Sequence, residues 1–216
     1  MSTKIDYHLL ELEISQAPSN EHHSLPVAES DELSILDIGC GIGQTLVSMN
    51  LDKERFLVGI DIDFESLSYG KERFEHPNYL SASADSLPFD NGSFDLVISR
   101  VALPYTNIPK AIHECSRVLK PGGRLWLTLH PAQKTIDQLK EAIKTGNVKN
   151  TVCRCYILLN GLCFHYFGKV YKCPINRQYE SFQTSTGMLK QLSSVGFQSI
   201  TITEEHSLLA IARKPI

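Results

Sequence analysis

The amino-acid sequence predicts an α/β fold in which a mostly parallel sheet of seven strands carries helices on both faces. Apolar runs of strand length alternate with segments of helical length, which is the pattern of βαβ units. The central runs, Phe94 to Ser99 and Arg124 to Leu129, are almost continuously apolar, as expected for parallel strands that are covered on both faces. Two last runs, 199–204 and 208–213, are separated only by Glu205-His206-Ser207 and predict a hairpin that supplies one antiparallel edge strand.

The first strands lead into turn and cap residues. The run 34–38 precedes a group of glycines, and the run 56–61 precedes Asp63, which is placed to cap the next helix. A third strand over 79–84 is predicted mainly because the alternation requires one there. All three segments therefore fit strands that feed helices.

A helix before the fifth strand has the clearest periodicity in the chain. Apolar residues recur at helical spacing from Ile108 to Leu119, with Pro109 in the first turn and Pro121-Gly122-Gly123 predicted to stop the helix. The alternation lapses over 131–182 and resumes with a helix over 186–195.

Length and composition predict one domain over residues 1–216, with a polar N-terminal segment over 1–30 and an insertion over 131–182. The 216 residues are 42% hydrophobic, enough for one substantial core. A formal net charge of −3 without blocks of like charge argues against a dedicated nucleic-acid or anionic-membrane binder. No apolar run approaches the roughly 18 residues of a membrane span, and the first residues do not resemble an export signal. We therefore expect a cytoplasmic protein without a transmembrane segment.

A glycine-rich turn, Gly39-Cys40-Gly41-Ile42-Gly43, follows the first strand. Glycines at this position allow positive φ and close approach of a ligand. Asp61 ends the second strand about twenty residues later, where a carboxylate can accept both hydroxyls of a ribose. Asp63 is the competing carboxylate, but it is better placed to cap a helix. A dinucleotide fingerprint needs glycine where this chain has Gln44, so the spacing disfavours NAD.

Four segments resemble, in order, the motifs of the class I methyltransferases that depend on S-adenosylmethionine (SAM), specifically the small single-domain members. They are Ile35 to Gly43, Val58 to Asp61, Ala84 to Val97 and Arg117 to Leu125. The resemblance extends from Leu33 to Lys214. It implies a Rossmann-like fold, SAM as the cofactor, and methyl transfer to a small molecule.

The resemblance also implies which residues bind SAM. The backbone of the glycine turn would hold the methionine part, with Asp37 near its ammonium group, while the backbone near Arg100 would face the same end. Asp61 would bind the ribose, Ile62 would pack on the adenine, and Asp85 would accept a hydrogen bond from the adenine amino group. The residues alone leave two alternatives open: Asp37 as a buried carboxylate satisfied by turn amides, and Asp85 as a loop aspartate that caps a turn. The full set is Asp37, Gly39, Cys40, Gly41, Gly43, Asp61, Ile62, Ala84, Asp85, Ser86 and Arg100.

In-line methyl transfer requires mainly the alignment of two partners, and it requires a base only if the nucleophile arrives protonated. Tyr105, just past the fourth strand, and His130, which ends the fifth, are the candidate catalytic residues. Each also fits a structural role, as a loop anchor and as a hydrogen-bonded strand end. Leu103-Pro104-Tyr105 departs from the Asn/Asp-Pro-Pro-Tyr motif of amino methyltransferases that act on adenine or glutamine, which disfavours methylation of nucleic acid by that route.

Apolar and aromatic side chains are crowded between Thr151 and Lys172. After the fifth strand, such a stretch predicts a cap over the substrate with an apolar pocket wall, and hence a lipophilic or aromatic acceptor. A helix packed on the domain or a homodimer contact explains the composition equally well. The side chains are Tyr156, Ile157, Leu158, Leu159, Leu162, Phe164, Tyr166 and Phe167.

The same region contains Cys153, Cys155, Cys163, His165 and Cys173. Their spacings are not the Cys-x-x-Cys pairs of structural zinc, so no metal site is predicted, and whether these residues bind anything is left open. The chain's six cysteines are expected to be reduced thiols.

Two competing functions fit parts of the sequence. A non-catalytic SAM-binding or partner-activating module would keep the glycine turn and Asp61 but lack an acceptor pocket. An oxidoreductase that uses a dinucleotide is disfavoured by Gln44. Turnover separates an enzyme from the first alternative, and a comparison of SAM with NAD binding decides the second.

Overall fold

The computed structural model describes residues 3–20, 23–174, 176–205 and 207–216. His206 of the predicted hairpin turn, and residues 1, 2, 21 and 22 of the predicted N-terminal segment, lie outside these residues. In chain order the helices and strands are α1 (Thr3–Gln16), β1 (Ser34–Ile38), α2 (Gln44–Ser48), β2 (Phe56–Asp61), α3 (Phe64–Arg73), β3 (Asn78–Ser81), β4 (Phe94–Arg100), α4 (Ile108–Val118), β5 (Leu119–Leu129), α5 (Ala132–Lys144), α6 (Val148–Phe167), α7 (Ser185–Ser194), β6 (Gln198–Glu204) and β7 (Leu208–Arg213). A short 3₁₀ turn, Leu103–Tyr105, follows β4.

The strands form one seven-stranded sheet in the order β3-β2-β1-β4-β5-β7-β6, which confirms the predicted fold class. The first five strands are parallel, and β7 is antiparallel to both of its neighbours. The predicted hairpin supplies the antiparallel pairing at this end of the sheet: β7 is the antiparallel strand, and β6 lies outside it at the edge. The chain reaches β6 by a crossover through α7, and the tight hairpin then returns β7 into the space between β5 and β6.

Two element boundaries differ from the sequence-based prediction. The third strand ends at Ser81 instead of Ala84, and the Ala82 N–H donates to the Asp61 carbonyl at 3.1 Å as the chain leaves the sheet. Helix α4 ends at Val118, three residues before Pro121. Residues 121–123 belong to β5, where the Gly122 N–H donates to the carbonyl of Lys214 at 3.1 Å. Gly122 has a φ of +77° and lies where the register between β4 and β5 shifts, so this stretch is an irregular part of the strand.

Both faces of the sheet are covered, as predicted. Alternate strand residues enter two separate apolar clusters: Leu36, Val97 and Leu125 lie on one face, and Ile35, Leu96 and Trp126 on the other. The first face is covered by α4, whose fully buried residues are Ile108, Ala111, Ile112, Cys115 and Val118. Their spacing is the apolar stripe that the sequence indicated.

The predicted polar N-terminal segment contains a helix that sequence reasoning missed. Helix α1 buries Ile5 and is tied to the domain by Ser15 Oγ and Ser48 Oγ, 2.7 Å apart, and by an ion pair of 3.3 Å between Lys4 and Asp63. The buried face also includes Ser15, so only a weak apolar periodicity marks it in the sequence. As a result, α1 lies over the carboxyl ends of the central strands.

Helices α5 and α6 form the insertion after β5. The chain leaves the sheet at Pro131 and returns beside it, because the Gln183 N–H donates to the His130 carbonyl at 3.0 Å. The buried side chain of Asn160 holds the returning segment: its Nδ2 donates to the carbonyls of Tyr171 and Glu180, at 3.1 and 2.9 Å, and its Oδ1 accepts from the Tyr171 N–H at 2.8 Å. None of the helices in the described part of the chain is long and apolar enough to cross a bilayer.

Candidate active site

A cleft of about 730 Å³ opens where the carboxyl ends of the parallel strands meet, below α1. The chain continues from β1 to β2 on one side and from β4 to β5 on the other, so the cleft lies at the topological switch point at which open α/β sheets bind ligands. Of the residues predicted to bind a cofactor, Gly39, Asp61, Ile62, Ala84, Asp85 and Arg100 line the cleft. The remaining five, Asp37, Cys40, Gly41, Gly43 and Ser86, do not.

The glycine turn requires glycine for two separate reasons. Gly39 and Gly41 have φ of +75° and +56°, in the left-handed region that favours glycine. A Cβ on Gly39 would overlap the side chain of Ala102, and one on Gly41 would overlap the imidazole of His8. The turn thus packs directly against the segment after β4 and against α1.

The N–H groups of this turn are all used within the protein. Gly39 and Cys40 donate to the Ile60 carbonyl at 2.8 and 3.0 Å, and Gly41 donates to Asp61 Oδ2 at 2.9 Å. The next two N–H groups donate to Gln44 Oε1 and to the Cys40 carbonyl. Phosphate-binding turns instead direct free N–H groups at the anion. This turn is therefore unsuited to a pyrophosphate.

Cys40 turns its side chain away from the cleft. The thiol lies against Gly59 on β2, and burial raises the pKa of Cys40. Only the backbone of Cys40 is therefore within reach of a ligand in the turn.

Asp61 and Asp63 have separate environments. Asp61 lines the cleft, and its two carboxylate oxygens accept from the N–H groups of Gly41 and Asp63, both at 2.9 Å. Asp63 occupies the N-cap position of α3, accepts from Ser66 Oγ at 3.1 Å and pairs with Lys4. Each oxygen of Asp61 keeps a second lone pair for a hydroxyl. The carboxylate of Asp63 is instead bonded to Lys4 of α1 and Ser66 of α3.

Two ionisable side chains, Arg100 in the cleft wall and Asp37 buried next to it, have unused hydrogen-bonding atoms. Asp37 is 1% exposed, and within the described residues its carboxylate oxygens make no hydrogen bond of normal geometry, nor does Arg100 Nη1. Burial raises the pKa of Asp37 to about 7, against the opposing effects of the Arg100 guanidinium and the Thr45 hydroxyl. Arg100 Nη2 donates to Glu11 Oε2 of α1 at 3.3 Å. Unpaired buried charges are costly, so this arrangement is typical of a binding site rather than of a structural core.

The backbone between these groups and the substrate side is strained. Val101, a β-branched residue, has a φ of +59°, a left-handed conformation that such residues rarely adopt. It lines the cleft between Arg100 and Ala102, and its N–H donates to the Thr128 carbonyl at 2.9 Å. Strain of this kind costs about 1 to 3 kcal/mol and clusters at functional sites.

Helix α1 contributes Tyr7, His8 and Glu11 to the cleft, none of which sequence reasoning identified. His8 Nδ1 lies 3.4 Å from Gln44 Nε2, and burial lowers the pKa of His8. The sequence pattern that could have predicted α1 is the spacing of Ile5, Leu9 and Leu12, which one face of a short helix would produce.

The opposite wall combines the predicted adenine segment with the returning insertion. Ile62 is 78% exposed, and Asp85 Oδ1 accepts from the Asn107 N–H at 3.2 Å, while burial raises the pKa of Asp85. Ala84 is buried beside it, whereas Ser86 is exposed outside the cleft. Lys172, Arg177, Gln178 and Tyr179 complete this wall and were not predicted.

The two candidate catalytic residues, Tyr105 and His130, lie together. Tyr105 Oη is 3.2 Å from His130 Nε2, and Lys134 Nζ is 3.5 Å from His130 Nδ1. Because an ammonium group only donates, this network assigns the imidazole hydrogen to Nε2, which donates to Tyr105 Oη. Burial, with a smaller effect of Lys134, lowers the pKa of His130 to about 4, and burial raises that of Tyr105. Near neutral pH the pair is thus uncharged, and the phenol hydrogen of Tyr105 is available to a substrate.

A side cavity of about 110 Å³ adjoins the cleft at this pair. Besides Tyr105, His130 and Lys134, its lining includes Arg154 and Glu180, which form an ion pair of 3.3 Å. Of the eight apolar and aromatic residues that predicted a pocket wall, Ile157 alone lines either space. The wall prediction is therefore wrong for the other seven, because α6 directs them into the core or outward.

The cysteines of the insertion do not gather around one point. Cys173 is buried and Cys155 is exposed, while His165 Nδ1 lies 2.7 Å from Thr184 Oγ1. In the parts of the chain that the structure describes, no three His, Cys, Asp or Glu side chains come together as metal ligands.

Comparison with known proteins adds independent information. Residues 36–127 match a family model described as a methyltransferase domain. A demethylmenaquinone methyltransferase of Staphylococcus haemolyticus is 29% identical over 77% of this chain and 69% of its own length, and an uncharacterized protein of Methanocaldococcus jannaschii is 41% identical over 53% and 43%. The crystal structure of a SAM-dependent methyltransferase from Methanosarcina mazei has a TM-score of 0.57 at 22% identity, covering 88% of this chain and 95% of that one. The chain spans half or less of the length of several other curated relatives.

The sheet order and the cleft define a doubly wound α/β protein with its ligand site at the switch point. The family match is more specific: the methyltransferase-domain model covers residues 36–127, less than half of the chain, and the similarity to methyltransferases is shown for that part. The SAM-dependent methyltransferase of Methanosarcina mazei shares the fold.

We predict that Asp37→Asn stabilises the ligand-free protein, and more so as pH rises. The folded-state pKa of about 7 lies above the ordinary 3.8, so ionisation of Asp37 opposes folding. This penalty is absent below about pH 4, grows between pH 4 and 7, and is complete above pH 7. Urea unfolding should show a gain in the free energy of unfolding about 2 kcal/mol larger at pH 8 than at pH 5.

The exposed Asp52→Asn variant is the matched control and should show no such trend. A gain for Asp37→Asn that is independent of pH, or a loss of stability, would contradict the prediction.

Proposed function

We propose that this protein transfers a methyl group from SAM to a small-molecule acceptor by in-line displacement. One observation carries the proposal: Arg100, which lines the cleft, and Asp37, which is buried next to the cleft-lining Ile38, are groups of opposite sign that each have unused hydrogen-bonding atoms. The methionine part of SAM has an ammonium and a carboxylate group, which match these two partners in charge. The glycine turn agrees with a ligand other than a dinucleotide, since its N–H groups are used internally and are not available to a pyrophosphate.

The remaining predicted contacts follow along the cleft. Asp61 would accept hydrogen bonds from the ribose hydroxyls with the lone pairs that its backbone partners leave free. The exposed side chain of Ile62 would pack on the adenine, and Asp85 would accept from its amino group. Ala84 and the backbone of Gly39 would complete the walls.

When bound, SAM supplies a methyl group on a positively charged sulfur, so no acid is required to release it. The chain's own residues then have to orient the acceptor and exclude water. Helix α1 covers the donor end through Tyr7, His8 and Glu11. On the acceptor side, the Tyr105 hydroxyl would donate a hydrogen bond that orients the acceptor beside the donor, and the neutral His130 would hold this hydroxyl in place.

The side cavity favours an enzyme over a non-catalytic SAM-binding module, because it gives space for a second ligand next to the donor cleft. Its Arg154–Glu180 pair and Lys134 favour an acceptor that carries at least one polar or charged group, in place of the wholly lipophilic acceptor that the composition suggested. We further propose that residues 131–182 act as the substrate cap, since α5, α6 and the returning segment supply most of this lining.

The first test is calorimetric titration with SAM, its demethylated product and NAD in parallel. We expect saturable binding of the first two and none of NAD. An acceptor screen that follows formation of the demethylated product then tests turnover. Preference for NAD would overturn the proposal, and SAM binding without turnover on any acceptor would favour the non-catalytic module.

Replacement of the ribose carboxylate tests the donor site. Asp61→Ala removes charge-assisted hydrogen bonds worth about 1.5 to 3 kcal/mol each, so SAM should bind at least roughly tenfold more weakly in calorimetry. Asp63→Ala is the matched control, because that carboxylate is committed to Lys4 and Ser66. Equal losses in both variants would mean that the effect comes from the position of α1 or α3.

Tyr105→Phe tests the acceptor side. Removal of the hydroxyl should lower kcat/KM for the acceptor about tenfold, equivalent to one lost hydrogen bond of roughly 1.4 kcal/mol, and leave the Kd of SAM unchanged. Tyr171→Phe serves as the control for an exposed tyrosine that lines neither space. An unchanged kcat/KM in Tyr105→Phe would remove this residue from acceptor binding.

A further inference from the structure

Helix α6 is apolar on two opposite faces. One face packs on the domain through Ile157, Asn160, Gly161 and Phe164, all of them buried. The other face consists of Val148, Val152, Cys155, Leu159, Leu162 and Tyr166, all of them exposed; we call these six residues the outer seam. A surface helix ordinarily turns charged residues to the solvent, whereas a helix that is apolar all round is normally buried on all sides.

The outer seam has the spacing of a helix–helix contact. Its six positions follow one another by 4, 3, 4, 3 and 4 residues, the 3.5-residue average with which one helix meets another along its length. Its five apolar or aromatic members other than Cys155 are between 46% and 75% exposed. The pattern therefore points to a second helix as the occupant.

The order of side chains along the outer seam points to an identical helix in the opposite direction. The six positions are symmetric about residue 157, so two antiparallel copies place 148 opposite 166, 152 opposite 162, and 155 opposite 159. Each layer then joins a small residue to a large one: Val with Tyr, Val with Leu, and Cys with Leu. Parallel copies would join Tyr to Tyr and Val to Val, which packs unevenly.

The extent and the charges also fit a second copy. With the neighbouring Phe167, which is 73% exposed, the outer seam extends along the 20 residues of α6 and forms a continuous apolar surface. Helix α6 has no acidic residue, and its Arg154 is paired with Glu180 away from the seam. Lys149 is the remaining Lys or Arg of α6, too few for the basic flanks by which helices bind anionic lipid surfaces.

We propose that two copies of this chain associate through antiparallel packing of their α6 helices along the outer seam. The two-fold axis crosses the seam at the level of residue 157 along the helix. Such an isologous contact closes on itself and gives a dimer rather than a filament. The proposal rests on the surface of α6 alone and is independent of the proposed methyl transfer.

Sedimentation velocity tests the association. The wild-type chain at about 10 µM should have twice the monomer mass of 24.2 kDa. Leu159→Glu places a charge beside the two-fold axis and should return the protein to the monomer mass. Asn150→Glu is the matched control, because Asn150 is exposed on the same helix outside the seam, and this variant should remain dimeric.

Circular dichroism and SAM titration show whether Leu159→Glu is folded. A wild-type monomer at about 100 µM, or a folded Leu159→Glu variant that stays dimeric, would overturn the proposal. A wild-type monomer that binds lipid vesicles instead would overturn it in favour of a membrane surface.

Cross-linking tests the direction of the helices. Antiparallel packing places residue 159 opposite the partner subunit's Cys155, so Leu159→Cys should give a disulfide-linked dimer on mild oxidation. Leu159→Ser shortens the side chain equally without a thiol and should give none, as should Leu159→Cys combined with Cys155→Ser. Cross-linking of the wild-type chain through Cys155 alone would indicate parallel helices and contradict the antiparallel arrangement.

Discussion

The site depends on one backbone interaction, in which the Ile60 carbonyl accepts hydrogen bonds from the N–H groups of both Gly39 and Cys40. It fixes the turn after β1 to the end of β2, and it is possible only because glycine allows the left-handed backbone at this point. The turn then lies close enough to Ala102 and His8 to form the floor of the cleft. Asp61 is held in the same network, so the end of β2 both supports the turn and carries a carboxylate into the cleft.

The cleft is assembled from two kinds of polar group. Groups along the central part, such as Asp61, are partly satisfied by backbone N–H groups and keep spare lone pairs. Arg100 in the cleft wall and Asp37 buried next to it each have side-chain atoms without a hydrogen-bond partner among the described residues, and ionisation of Asp37 opposes folding. The strained Val101 follows Arg100, so several unfavourable features lie next to the cleft.

The sequence predicted what local patterns determine. The apolar runs, the spacing of residues 108–119 and the glycine turn predicted the sheet, its helices and the position of the donor cleft. Helix α1 was missed because its buried face includes His8 and Ser15, which carry no apolar signal. The Tyr105–His130 contact and the Arg154–Glu180 pair join residues about 25 positions apart in the chain, and only the adjacency of β4 and β5 and the path of the insertion bring them together. The order of β6 and β7 likewise depends on a crossover that no local pattern describes.

Helix α1 connects the shape of the cleft to residues that lie outside the cleft lining. Three polar contacts attach it across the cleft, those of Lys4 with Asp63, Glu11 with Arg100, and Ser15 with Ser48. Because Tyr7, His8 and Glu11 of α1 line the cleft, a change at Lys4 or Ser15, which lie outside the cleft lining, alters the wall that a ligand meets.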